Sequence, residues 1–279
     1  MDVIDPSQTK ILTLVCFSSI MSTMDRHTKN KLNLLLQNWP SSVPAPTKWL
    51  KEQGISRQLL DRYKQYNWIT RVAKSLVQKK GDQISWEGAV YALENLQGLD
   101  IWIGGKTALN LKGLSHYSYM NKIPTVWLYS QKVKKLPRWV KELPAVANFK
   151  FKHSTLFSEK NIKLGCAKHT YEKLELTMSA PEKAILEVLD DVPQKNTFQE
   201  TQLIFENLTN LRPKLTQELL EDCRSIKAKR LFLYFAEKSN HSWFKKIDSS
   251  KINLGKGKRA IVPMGKLNHK YQILVPAES

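Results

Sequence analysis

Residues 55–80, ISRQLLDRYKQYNWITRVAKSLVQKK, change their hydrophobic period halfway along. The first half places Leu59, Leu60 and Tyr63 at helical spacing, and the second half alternates as a strand does. Ser56 stands where an N-cap is needed, just before the periodic run. A helix is therefore expected over residues 57–66, with Leu59, Leu60 and Tyr63 inward and Arg57, Gln58, Arg62 and Gln65 outward. Residues 68–72 (WITRV) and 75–78 read as strands, and Lys79-Lys80-Gly81-Asp82 as a turn.

Working upstream, residues 31–37 (KLNLLLQ) open a first helix with Leu32, Leu35 and Leu36 on one face. Trp39-Pro40 and the stretch to Pro46 end it, because proline cannot continue a helix. Residues 47–53 form a second short helix, with Thr47 as N-cap and Gly54 as its stop. Ile55 packs inward. Three short helices followed by a basic hairpin have the order of a winged helix-turn-helix, which lays one helix in the DNA major groove. Arg pairs with guanine and Gln with adenine through two hydrogen bonds each, so Arg57, Gln58 and Arg62 are the candidate base readers. Lys64, Arg71, Lys74, Lys79 and Lys80 are the candidate phosphate contacts. The alternative is a winged helix used only for protein contacts.

Charge supports the nucleic-acid reading. The 279 residues carry a formal net charge of +19, and a balance of that sign favours a polyanionic partner. From 26 to 80 there are 12 Lys/Arg against Glu52 and Asp61, and from 227 to 271 another 12 against Glu237 and Asp248. The intervening 81–226 holds 19 basic and 17 acidic residues. The charge thus lies in two blocks, and each requires its own explanation. Cys16, Cys166 and Cys223 are too scattered for a zinc site or a disulfide framework, so a reducing cytoplasm is expected, with no metal and no cofactor.

Residues 11–21 (ILTLVCFSSIM) are apolar, but Asp2 and Asp5 precede them where a secretion signal needs positive charge. The run is too short to span a bilayer, and no membrane association is expected. Residues 1–27 are read as a disordered or loosely docked extension, with translation from Met21 or Met24 as the alternative. The fold expected is α+β: a winged helix-turn-helix over residues 28–85, then a mixed α/β domain over 86–279.

Within that second domain, residues 86–96 read as a connecting helix and 100–103 as a short strand. Gly104-Gly105-Lys106-Thr107 then turns into another helix. Such a junction can cradle a phosphate on free backbone amides, which makes these four residues a candidate phosphate turn. Tight strand–helix packing is the plainer account of the two glycines. A P-loop needs a further glycine at the position of Asp100, so that motif fails. A nucleotidyltransferase needs metal-holding aspartates after the turn, and the next strand, 125–129 (TVWLY), has none. His116, His153 and His169 are not at ligand spacing. Asp190-Asp191 closes a helix that begins near Ser179, with Glu182 completing a capping box, and reads as a solvated terminus. Residues 133–142 are amphipathic, and 148–153 (NFKFKH) alternate with Phe149 and Phe151 in and Lys150 and Lys152 out. A further strand is expected over 171–177, and helices over 181–189, 197–208, 214–221 and 228–239.

The second basic block holds Lys245, Lys246, Lys256, Lys258 and Arg259 around a glycine-spaced loop, 254–259 (LGKGKR), on what reads as a closing hairpin. Three readings stay open: a second contact with the DNA backbone, which ranks first, a site for RNA or nucleotide, or a solvated surface.

Several segments together carry a resemblance: SRQLLDRYKQYNWITRV, GDQISWEGAVYALE, IWIGGKTALNLKGLSHY, SAPEKAILEVLDDVP, KRLFLYFAEKSNHSWFKKID and LGKGKRAIVPMGKLNHKYQILVP. Their order resembles the AbiEi-type antitoxins of bacterial type IV toxin–antitoxin pairs, over roughly residues 29–276. The resemblance implies a non-enzymatic protein that represses its own operon by binding double-stranded promoter DNA. It also implies opposition to a nucleotidyltransferase toxin without a stable complex. The family often has Gly and Tyr in the wing where this chain has Lys74-Ser75-Leu76, so the wing tip differs. A stand-alone repressor and a nucleotidyltransferase-like enzyme are the alternatives.

Overall fold

The computed structural model describes residues 26–115 and 123–277. The extension read over residues 1–27 thus falls almost wholly outside the described residues. So does His116. The fold is α+β. Its contacts form two compact units, one running up to residue 97 and taking in 141–144, the other holding 98–140 and the chain from 145 onward.

The first unit begins with α1 (Arg26–Asn38), longer than the KLNLLLQ pattern alone required. Leu32 and Leu35 are buried, and Trp39 just beyond them donates from Nε1 to the Val43 carbonyl at 2.7 Å. Strand β1 (Ala45–Pro46) leads into α2 (Thr47–Glu52). Pro46, rather than Thr47, is the residue before that helix, and it offers no side-chain cap. Gly54 follows with φ +78, a conformation that costs glycine little. Helix α3 (Arg57–Gln65) comes next, then β2 (Ile69–Ala73) and β3 (Leu76–Lys79). The strands form an antiparallel sheet in the order β1-β3-β2, with Ala45 opposite Val77 and Ile69 opposite Lys79.

Helix α4 (Trp86–Tyr91) closes this unit and continues as a π-helical turn over Ala92–Leu96. Ser85 caps it by accepting from the Gly88 amide at 2.9 Å. Gly88 itself faces the Ser42 carbonyl so closely that a Cβ there would collide with it. The helix read as a connector is therefore packed within the first unit.

The second unit is built on a five-stranded sheet: β4 (Trp102–Ile103), β5 (Thr125–Ser130), β6 (Asn148–His153), β7 (Cys166–Tyr171) and β8 (Leu174–Ser179). Their spatial order is β6-β5-β4-β8-β7. The central strand β4 is parallel to β8 and antiparallel to β5. The single strand expected over 171–177 is in fact a hairpin, β7 and β8, turning at Glu172. The amphipathic stretch 133–142 yields only a 3-10 turn, Arg138–Glu142.

Helix α5 (Gly105–Leu111) follows β4, and α6 (Pro181–Asp190) follows β8 and packs on α5. Then come α7 (Phe198–Glu206), α8 (Pro213–Asp222) and α9 (Ile226–Lys238). Phe198, Phe205, Phe232, Phe235 and Trp243 join α7 and α9, with centroid separations of 4.8 Å for Phe198–Phe235 and 5.1 Å for Phe205–Phe232. The chain ends in a small sheet of β9 (Arg259–Ala260), β10 (Lys266–Asn268) and β11 (Ile273–Val275), ordered β10-β11-β9.

Candidate nucleic-acid interface

Helix α3 starts as expected. The Ser56 hydroxyl accepts from the Leu59 amide at 3.2 Å, satisfying one of the donors a helix start leaves open. Leu60 and Tyr63 are buried and anchor the helix, while Leu59 is only half-buried. Arg57, Gln58 and Arg62 are all exposed. Lys64 pairs with Asp61 at 2.9 Å on the same helix face, and that bond holds the Asp61 carboxyl below its ordinary range.

Between α2, α3 and the wing lies an open groove of about 620 Å³. Lys51, Arg57, Lys64, Arg71 and Lys74 line it, with Asp61 as the one acidic side chain among its lining residues. Arg71 donates from Nε to the Ala73 carbonyl and from a terminal nitrogen to the Lys74 carbonyl, each at 3.2 Å. It therefore braces the wing tip at Lys74-Ser75. Lys51 was not singled out from the sequence. Its position in the last turn of α2 was the signal, but only the fold turns that side toward α3 and the wing.

Lys79 and Lys80 part company. Lys80 is exposed at the turn. Lys79 reaches back to α1, donating to the Leu36 carbonyl at 3.3 Å and lying 5.9 Å from the centre of the Trp39 ring. Burial pushes the Lys79 ammonium down. Lys79 thus caps the C-terminal end of α1, where the helix dipole favours a cation, and leaves the set of phosphate contacts.

The turn Gly104-Gly105-Lys106-Thr107 is filled from within the protein. The Gly105 amide donates to Glu187 Oε2 at 2.7 Å, and Trp102 Nε1 donates to Glu187 Oε1 at 2.8 Å. Ser179 adds a third bond to that carboxylate at 3.0 Å. Lys106 pairs with Glu200 at 2.6 Å, and the Thr107 hydroxyl accepts from the Trp127 amide at 2.8 Å. A Cβ at Gly104 would strike Glu187 and Tyr129. The amide that a phosphate would use already holds an internal carboxylate, so the phosphate reading gives way to close packing of strand on helix.

Two neighbouring expectations change with it. Ser179 does not cap α6; Ala180 precedes the helix without a side-chain cap, and Glu182 instead accepts from Arg212 at 2.9 Å. Asp190 and Asp191 are not a solvated terminus. They accept from Lys152 at 2.7 and 2.8 Å, so Lys152 does not point outward as strand alternation implied.

In the second basic block, Lys245, Lys246, Lys256, Lys258 and Arg259 are all exposed. The closing hairpin is β10 with β11. Strand β9 runs parallel to β11, and the loop carrying Lys256 and Lys258 enters β9 from outside that hairpin. Among the described residues, no helix is long and apolar enough to cross a membrane.

Comparison with known proteins bears on both units. Residues 28–120 match the family model of the AbiEi antitoxin N-terminal domain, a transcriptional regulator. Residues 123–276 match that of the transcriptional regulator AbiEi antitoxin of the type IV toxin–antitoxin system. A crystal structure of the RV2827C protein from Mycobacterium tuberculosis is similar in fold, with a TM-score of 0.50 at 13% identity. That likeness covers 87% of this chain and 88% of the other. No curated protein matches the sequence.

Proposed function

This chain belongs to the AbiEi antitoxin family of transcriptional regulators of type IV toxin–antitoxin systems, and from that premise we propose that its first unit represses its own operon by binding promoter DNA. Exposed Arg57, Gln58 and Arg62 on capped helix α3, beside a groove rimmed by Arg71 and Lys74, are the observation that carries this reading. Arg57 and Gln58 at the start of the helix, with Arg62 in its last turn, suit base edges, and cations on the wing suit the flanking phosphates. Lys64 and Lys80 complete the phosphate set.

Gel-shift titration against the upstream promoter and against random duplex tests it. Arg57→Ala and Arg62→Ala should each weaken promoter binding by about 1–3 kcal/mol while random duplex is bound as before. Equal affinity of the native protein for promoter and random fragments would overturn sequence-selective repression.

The second half of the proposal is opposition to a nucleotidyltransferase toxin in the cytoplasm, without a stable complex and without catalysis by this chain. The occupied turn at Gly105 supports the non-enzymatic reading, since its amide is bonded to Glu187. Co-expression with the adjacent gene should relieve that gene's toxicity, and co-purification should recover no complex. Incubation with tRNA, magnesium and labelled nucleotides should give no transfer. Transfer that depends on Lys106 would overturn the non-enzymatic reading.

A further inference from the structure

Arg230 is only 2% exposed, and all of its guanidinium nitrogens donate to backbone carbonyls. Nε reaches Leu254 at 2.8 Å, one terminal nitrogen reaches Gly257 at 2.6 Å and Gln272 at 3.1 Å, and the other reaches Gly255 at 3.2 Å. Lys229, beside it, donates to the Asn253 carbonyl at 3.2 Å, and the Asn253 side chain accepts from the Gly255 amide at 2.9 Å. Gly255 and Gly257 have φ +62 and +76, which lets the loop fold its carbonyls around the guanidinium. A buried guanidinium is costly without acceptors, so this carbonyl set stays assembled and the loop keeps one shape.

That shape has a consequence for the other side of each peptide. A trans peptide is planar, with its C=O and N–H pointing in opposite directions. Turning the Gly255 carbonyl inward turns the Lys256 amide outward. Turning the Gly257 carbonyl inward does the same for the Lys258 amide. Neither amide has a hydrogen-bond partner among the described residues. Lys256, Lys258 and Arg259 are exposed around them.

We propose that the loop clamped by Arg230 is a preformed phosphate cradle, which takes a phosphate group of a polynucleotide backbone on the amides of Lys256 and Lys258. The side chains of Lys256, Lys258 and Arg259 supply the charge, and Arg230 is a positioning residue that never touches the ligand. Backbone amides held in a rigid loop bind phosphate without the entropy cost of ordering them at the moment of binding. This inference is independent of the DNA reading of α3, because it concerns residues of the second unit alone.

The test follows the backbone amides of the full-length, 15N-labelled protein by NMR. Inorganic phosphate is titrated first, then the promoter duplex, then a single-stranded RNA of equal length. The Lys256 and Lys258 amides should shift and saturate with inorganic phosphate. Whichever polynucleotide shifts them at the lower concentration is the source of the phosphate. Absence of a saturable shift at both amides with all three probes overturns the proposal.

Two variants complete the test. Lys256→Gln with Lys258→Gln changes only exposed side chains, and should flatten the plot of log affinity against log salt by about 1.8 for a duplex or about 1.4 for a single strand. An unchanged slope for the polynucleotide that shifts the amides overturns the proposal. Arg230→Lys keeps the charge but loses the planar fork, and should abolish the saturable amide shifts. If Arg230→Lys does not fold, the wild-type titration and the double variant still decide. If it folds and keeps wild-type shifts, the clamp is not what builds the cradle and the proposal falls. Arg57→Ala with Arg62→Ala should leave these shifts untouched, so failure here and failure of the promoter reading are told apart.

Discussion

Glu187 shows what a single residue can hold together. The residue is 1% exposed, and its carboxylate accepts from Trp102 and Gly105 at one strand–helix junction and from Ser179 far along the chain. Burial pushes its carboxyl up, against the opposing pull of the nearby Lys183 charge and the three hydrogen bonds. Lys183, one turn earlier on α6, is fully buried, with Nζ 3.1 Å from Cys166 Sγ and 4.5 Å from the centre of the Trp102 ring. Glu187→Gln keeps the volume but turns a donor toward one of three donors. It should destabilise the protein by about 1–3 kcal/mol in urea denaturation. A loss near zero would mean that the three bonds are replaceable by water. None of this was legible in PEKAILEVLD, where Glu182 read as part of a capping box and nothing marked Lys183 or Glu187 as buried. That helix has neighbours on every side, and periodicity along one segment carries no information about them.

Among the elements, α3 was read from sequence almost to its ends, because its determinants are local. Ser56 caps it and Tyr63 anchors it, and both act within the same ten residues. Ser56→Ala should cost about 0.5–2 kcal/mol of stability and should weaken promoter binding in the same gel-shift assay, since Arg57 and Gln58, two of the proposed base readers, ride on that first turn. Helix α4 depends on a distant contact instead. Gly88→Ala puts a methyl group against the Ser42 carbonyl, so the helix must move away from that loop. A lower thermal midpoint than the native protein's is the expected result. An unchanged midpoint would show that the loop yields freely. The terminal sheet was misread for a related reason. The parallel pairing of β9 with β11 leaves no mark in the composition of either strand, because strand register is set by partners far away in sequence.

At the scale of the whole molecule, charge behaves differently in the two units. The first unit presents most of its cations to solvent, whereas the second ties several carboxylates into its interior. Burial opposes ionisation of Glu182, Asp190 and Asp222, yet bonds from Arg212, Lys152 and Ser158 hold each carboxyl below its ordinary range. A carboxylate with a lowered folded pKa contributes stability that is complete above the unfolded value, near about 4, and is lost as pH falls through the folded value. Thermal unfolding followed from about pH 7 down to about pH 3 should therefore show the second unit losing stability below about pH 4. A midpoint that holds steady through that range would mean these bonds to the three carboxylates are energetically silent.

What the sequence determined by itself is whatever depends on near neighbours and on totals. The capped helix followed by a basic hairpin, the two cationic blocks and the α+β class all follow from period, composition and turn residues read in order. The tertiary structure decided which charged groups are free to meet a ligand. It turned Lys79 onto α1, set Glu187 in the Gly105 turn, joined Lys152 to Asp190 and closed Arg230 around the loop that carries Lys256 and Lys258. A long charged side chain takes the nearest partner in space rather than in sequence, and only the folded chain brings those partners within reach.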